Sequence, residues 1–154
     1  MRVFKTLCVG LLLGNAVFQL GQNLALAAED EREFVDLPPM MQEHMLGNMR
    51  DHLAALNEML AALAEGDVNQ AVDISEKRLG MSALSLHGAA HMGKFMPKAM
   101  GEIGTKMHHA ASRFVIVAQN AELNPGISAQ HKIYKALQEI TDSCVACHQA
   151  YRIH

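Results

Sequence analysis

Apolar residues recur at intervals of three and four along most of the chain, which is the spacing of one face of an α-helix. Pro38-Pro39 suits a helix start. Met41, Met45, Met49, Leu53, Leu56, Leu60 and Leu63 then form one stripe, which Gly66-Asp67 ends. A second stripe runs through Val68, Val72, Leu79, Ala83, Leu86 and Ala90 and is bounded by Pro97. Gly80, Gly88 and Gly93 lie inside it, each weakening a helix by about 1 kcal/mol relative to Ala. Gly101 and Gly104 read as a break before a third stripe of Met107, Ala110, Phe114, Val117 and Ala121. Asn124-Pro125-Gly126 is a turn signal, and Ser128 is placed to cap a last helix with the face Ile133, Leu137, Ile140, Cys144, Cys147 and Tyr151. No alternating run of β-branched or aromatic residues appears. The pattern predicts an all-α protein, an antiparallel up-down four-helix bundle.

Ahead of these helices, residues 1–27 have the form of a secretory signal. Arg2 and Lys5 make a positive start, an apolar run follows from Leu7 to about Leu20, and Ala25-Leu26-Ala27 offers small residues for cleavage. Cys8 belongs to that apolar run. The expected mature domain is residues 28–154, exported to the periplasm, with no other run long enough to span a bilayer. Cleavage takes two of the 13 basic residues and none of the 16 acidic ones, leaving 11 and a net charge of −5. An acidic chain of this kind is no nucleic-acid binder. The acidic stretch Glu29 to Asp36 reads as a solvated leader.

Two cysteines then remain, in Cys144-Val145-Ala146-Cys147-His148, the C-x-x-C-H sequence of c-type haem attachment. Residues three apart on a helix share a face, so two thiols can reach the two vinyl groups along one porphyrin edge. The imidazole that follows is then placed to bind iron. A disulfide closing so short a loop would add little stability. A thioredoxin-like pair wants a βαβ context, which is missing, while a zinc site needs further ligands such as the His87 and His91 pair. Composition agrees with a large non-protein core group. Half the residues are apolar, but only 5% are aromatic, with no Trp, against 11 Met and 9 His.

The stretch Cys144-Val145-Ala146-Cys147-His148-Gln149-Ala150-Tyr151-Arg152, closing a four-helix chain with a signal segment, resembles the cytochrome c′ family and its low-spin relatives. The resemblance implies one covalently bound haem c near the end of the chain, with His148 as proximal iron ligand. It implies that Arg152 sits beside that ligand, and that the chain dimerises through its first two helices. Family members differ in what the first helix presents to the other face of the haem. The resemblance puts that residue roughly four turns before the helix end, which falls at Met49 or Arg50, and Arg50 points away from the apolar face. Met49 is the expected distal ligand, with Met45 and His52 as alternatives. Leu46 or Leu53 there would leave the iron open.

The expected function is that of an electron carrier and not an enzyme, working with a redox partner that offers a basic docking face. Two alternatives stand beside it. One is a five-coordinate cytochrome that binds small gases, and the other is a periplasmic copper or zinc binder using Met and His residues such as His87, His91, Met92 and Met96, with the cysteines as ligands. His108 and His109 are expected to project sideways or outward, and His131 and His154 to be solvated. No Ser-His-Asp set, phosphate loop or paired-carboxylate site is present.

Overall fold

The structure, a computed structural model, describes residues 29–154, so the expected signal segment lies outside the described residues. The chain divides after Glu31, and Arg32–His154 forms the compact unit that carries the helices. Helix α1 (Pro39–Glu65) starts on the extended Pro38, with Pro39 at a position whose N–H has no helical partner in any case. It ends at Gly66, in the left-handed conformation with φ 80°, which glycine adopts without steric penalty.

The buried face of α1 is the expected one in part: Met41, Met45, Met49, Leu56 and Leu63 of the stripe pack against the two apolar clusters. Met45, His52, Ala55, Met59 and Ala62 are buried, while Leu53 and Leu60 are 70% and 51% exposed. Apolar residues occur on more than one side of this helix, so periodicity alone does not place the edge of the packed face. The small side chains of Ala55 and Ala62 mark the packed side.

The second stripe does not make one helix either. Helix α2 (Val68–Ile74) is capped by Asp67, whose carboxylate accepts from the Gln70 N–H at 2.9 Å. It widens into a π turn, Ser75–Leu79, closed by the Gly80 N–H donating to the Ser75 carbonyl at 2.7 Å. A Cβ at Gly80 would lie 2.9 Å from the Glu76 Cα, so the turn requires glycine there. The chain then passes through a 3-10 turn, Met81–Ala83, and a single helical turn, α3 (Ala89–Met92), before Pro97. Leu86 is 71% exposed and belongs to no stripe.

Helix α4 (Lys98–Leu123) runs straight through Gly101 and Gly104, which therefore do not break the chain. The turn at Asn124–Gly126 is where it was expected, and α5 (Ile127–Ala150) follows. Its cap position is held by Gly126, and Ser128 lies inside the helix. Helices α4 and α5 pack along each other, and α2 and the π turn lie against both α1 and α4. The main core joins Ala55, Met59, Leu79, Ala110, Ala111, Phe114, Ala118 and Ile140, all essentially fully buried.

A second apolar cluster gathers Val35, Leu37, Met45, Met92 and Met100, with Met41, Met49, Met96 and Cys147 against it. The acidic leader takes part in this cluster and is not simply solvated. Glu33–Phe34 (β1) pairs in parallel with Tyr151–Arg152 (β2), in the register Glu33 to Tyr151 and Phe34 to Arg152. The Val35 N–H donates to the Arg152 carbonyl at 2.8 Å, and the Gln42 amide donates to the Ile153 carbonyl. Tyr151 is accordingly extended instead of continuing the last helix. Apart from this short pair the described residues form an all-α protein.

Candidate functional site

Between α1 and the end of α5 lies a largely apolar cavity of about 540 Å³, within the range that small molecules and cofactors occupy. On the α5 side it is lined by Cys144, Cys147 and His148, three residues that helical spacing turns toward one region. Both thiols are free and half-buried. Cys144 donates weakly to the Ile140 carbonyl at 3.6 Å. Burial pushes both thiols above the ordinary cysteine range, and at Cys147 the neighbouring Cys144 adds to the rise. Neither is a ready thiolate at neutral pH, which does not favour disulfide exchange or an unassisted zinc–thiolate site.

Next to them, the Ser143 hydroxyl is buried and has no hydrogen-bond partner among the described residues. Arg152 lines the same cavity from β2, its guanidinium 5.0 Å from the centre of the Phe34 ring. Arg32 also lines it, donating to the His148 carbonyl at 3.4 Å.

The opposite wall comes from α1. Met45, Met49 and His52 all line the cavity, and so do Leu46 and Leu53. Met45 and His52 are buried, and Met49 is half-buried. Arg50 also reaches the cavity edge, contrary to the expectation that it points away. Met41 packs in the adjoining apolar cluster instead. Thioethers from outside α1 complete the lining: Met92, Met96, Met100 and Met107. Every residue expected to hold or adjoin a haem thus faces a single cavity.

The histidines are arranged differently from the expectation. His87 and His91 do not share a site: His87 is buried, while His91 is exposed and stacks edge-on against Phe95. His108 does not project outward but is only 6% exposed. His52, His87 and His108 instead form one cluster, brought together from α1, the irregular segment and α4. Their ring centres are 4.6, 5.3 and 5.9 Å apart. His109 and His131 are exposed as expected, and the exposed His154 adjoins the cavity.

Burial, reinforced by His87 and His108, holds the His52 pKa down at about 4, and burial followed by His108 also lowers His87. Asp51 opposes this on both rings and Arg78 adds to it at His52. An unfolded His52 binds its proton near pH 6.5, well before the folded one does. Its contribution is therefore fully present above about pH 6.5 and is lost as pH falls to about 4, on the order of 3 kcal/mol. Urea midpoints should fall between pH 7 and pH 4.5, and His52→Gln should flatten that slope. The Asp51 and Glu76 carboxyls are both lowered from ordinary values already at or below pH 4.5, so they titrate below this window. An unchanged slope in the variant would refute the assignment.

Sequence reasoning missed His108, Met100 and Met107 as lining residues. His108 directly follows Met107, so one stripe down α4 could not include both. The packed face of α4 is broad enough to bury both residues. No family model, curated protein or solved structure matches the chain.

Proposed function

We propose that this chain is an exported monohaem c-type cytochrome that carries electrons, built as a relative of the four-helix cytochrome c′ bundle. The observation that supports this best is the cavity itself. Two free thiols three residues apart, and the imidazole after them, face an apolar volume of cofactor size whose far wall presents thioethers. The residues fit the group. Cys144 and Cys147 would hold it through thioether links, and His148 would ligate iron from the proximal side. Met49 is the preferred distal ligand, and Met45 and His52 are alternatives on the same wall. Haem, when bound, supplies an iron that alternates between ferrous and ferric states.

The chain's own contribution is to set how easily that happens. Apolar walls exclude water, a thioether ligand favours the ferrous state, and Arg152 places a positive charge near the proximal side. An expected mature net charge of −5 suits a partner with a basic docking face, and such steering weakens with salt. The exposed Leu60 on α1 offers an apolar contact for self-association through the first two helices.

Optical and electron-paramagnetic spectra of protein made with haem-maturation machinery test this reading. Low-spin iron with a sulfur-to-iron charge-transfer band is expected, and Met49→Ala should remove the band and yield high-spin iron. High-spin iron in the unaltered protein, taking up carbon monoxide readily, would instead identify a gas binder. A protein with no covalent haem would leave the metal-binding alternative.

A further inference from the structure

We infer that His52, His87 and His108 form a second site, for a divalent late transition-metal ion such as zinc or copper, in the cavity wall. Beside the proposed haem it rests on a Met, and not His52, as the distal ligand, and the haem-free chain tests it apart from that reading. Three separate segments each deliver one buried imidazole to the same place, and two of them, those of His108 and His87, are held there by further hydrogen bonds. His108 donates from Nδ1 to the Leu79 carbonyl at 2.7 Å, because a carbonyl only accepts. The neutral ring therefore keeps an unprotonated Nε2. A metal-binding histidine usually has this support, with its other nitrogen bonded to a carbonyl or carboxylate. The Leu79 carbonyl belongs to the π turn, a helix irregularity frequent at functional sites.

His87 is held by its backbone, with the His44 ring at 3.0 Å and the Asn48 amide at 3.1 Å both donating to its carbonyl. Gly88, in the left-handed conformation with φ 61°, turns the chain at that point.

The spacing suits coordination. Nitrogens bound at about 2.0–2.1 Å on a tetrahedral ion lie about 3.3 Å from one another, with ring centres about 5 Å apart. His52 Nε2 and His87 Nδ1 are 3.4 Å apart, long for a hydrogen bond but close to that edge length. The three centre-to-centre distances bracket the second value. Among the described residues no group of three His, Cys, Asp or Glu side chains is placed to hold a metal ion as the structure stands. Binding by all three rings therefore requires the His108 ring to turn toward the other two while its Nδ1 stays on the Leu79 carbonyl. Neutral imidazoles suit zinc and copper better than magnesium or calcium.

Equilibrium dialysis with zinc, and cobalt as a spectroscopic substitute, tests the site on the full exported chain and on a haem-free C144S/C147S variant. One ion per chain is expected in both, with the strong visible bands of four-coordinate cobalt. His52→Ala, His87→Ala and His108→Ala should each weaken binding by at least about tenfold. Where an alanine variant loses its helical circular dichroism, the glutamine variant, which keeps shape and hydrogen bonding, takes its place with the same expectation. Binding that survives H52A/H87A/H108A, that disappears in C144S/C147S, or that never reaches one ion per chain would overturn the proposal. Failure of the haem reading shows separately, as a matured chain without covalent haem that still takes up one zinc ion.

Discussion

Replacing Cys144 and Cys147 together by serine is expected to abolish covalently held haem completely. In the unaltered, matured protein the haem should stay with the polypeptide through denaturation and acid–solvent extraction. In the double variant all of it should pass into the solvent, since a histidine–iron bond alone does not survive those conditions. The two thiols line the cavity and are only half-buried, Cys144 at the edge of the core around Phe114 and Cys147 against the smaller cluster, so helical content should change little. His148→Ala separates the two functions of the motif, with haem retained covalently but its spectrum altered. Haem that remained bound after loss of both thiols would show that the attachment is misassigned.

The largest loss of stability is expected at Phe114→Ala. Phe114 is fully buried, the largest such side chain among the described residues, near the middle of α4 and part of the core shared by α1, α2 and α5. Removing an aromatic ring from such a place typically costs about 3–5 kcal/mol, because the cavity left behind does not fully collapse. That is a large part of the roughly 5–15 kcal/mol by which a domain is stable. Phe114→Leu should lose much less. The difference is measurable as a shift of the urea midpoint at constant slope. A shift below about 1 kcal/mol for the alanine variant would mean that this core relaxes far more than its neighbouring alanines suggest.

The sequence made the helical class, the 124–126 turn and the Cys144–His148 motif legible, since each is a local signal carried by a few adjacent residues. The irregular segment was not. A π turn at Ser75–Leu79 depends on Gly80 meeting Glu76 closely and on Ser112 and Ser82 hydrogen bonding to the Glu76 carboxylate. Those partners lie up to 36 positions apart, and no periodicity encodes them. Leu53 and Leu60 of α1 were misplaced for a related reason: leucines that stay exposed look the same in sequence as leucines that pack. The histidine cluster needed His108 turned inward, and only the carbonyl that the π turn presents explains why it is.

The β1–β2 pair has a consequence for the order of assembly. Arg32 and His148 are 116 positions apart in the chain, yet they are bonded at the rim of the cavity. Contacts so distant in sequence carry a large loop-closure entropy and form late in folding. The helical hairpin of α4 and α5, joined by a three-residue turn, needs no such search. The motif-bearing wall can therefore be in place while the leading segment is still unattached, leaving the cavity accessible. Closure by Glu33–Phe34 onto Tyr151–Arg152 then completes the rim, a sequence of events that lets a large rigid group enter before its entrance narrows.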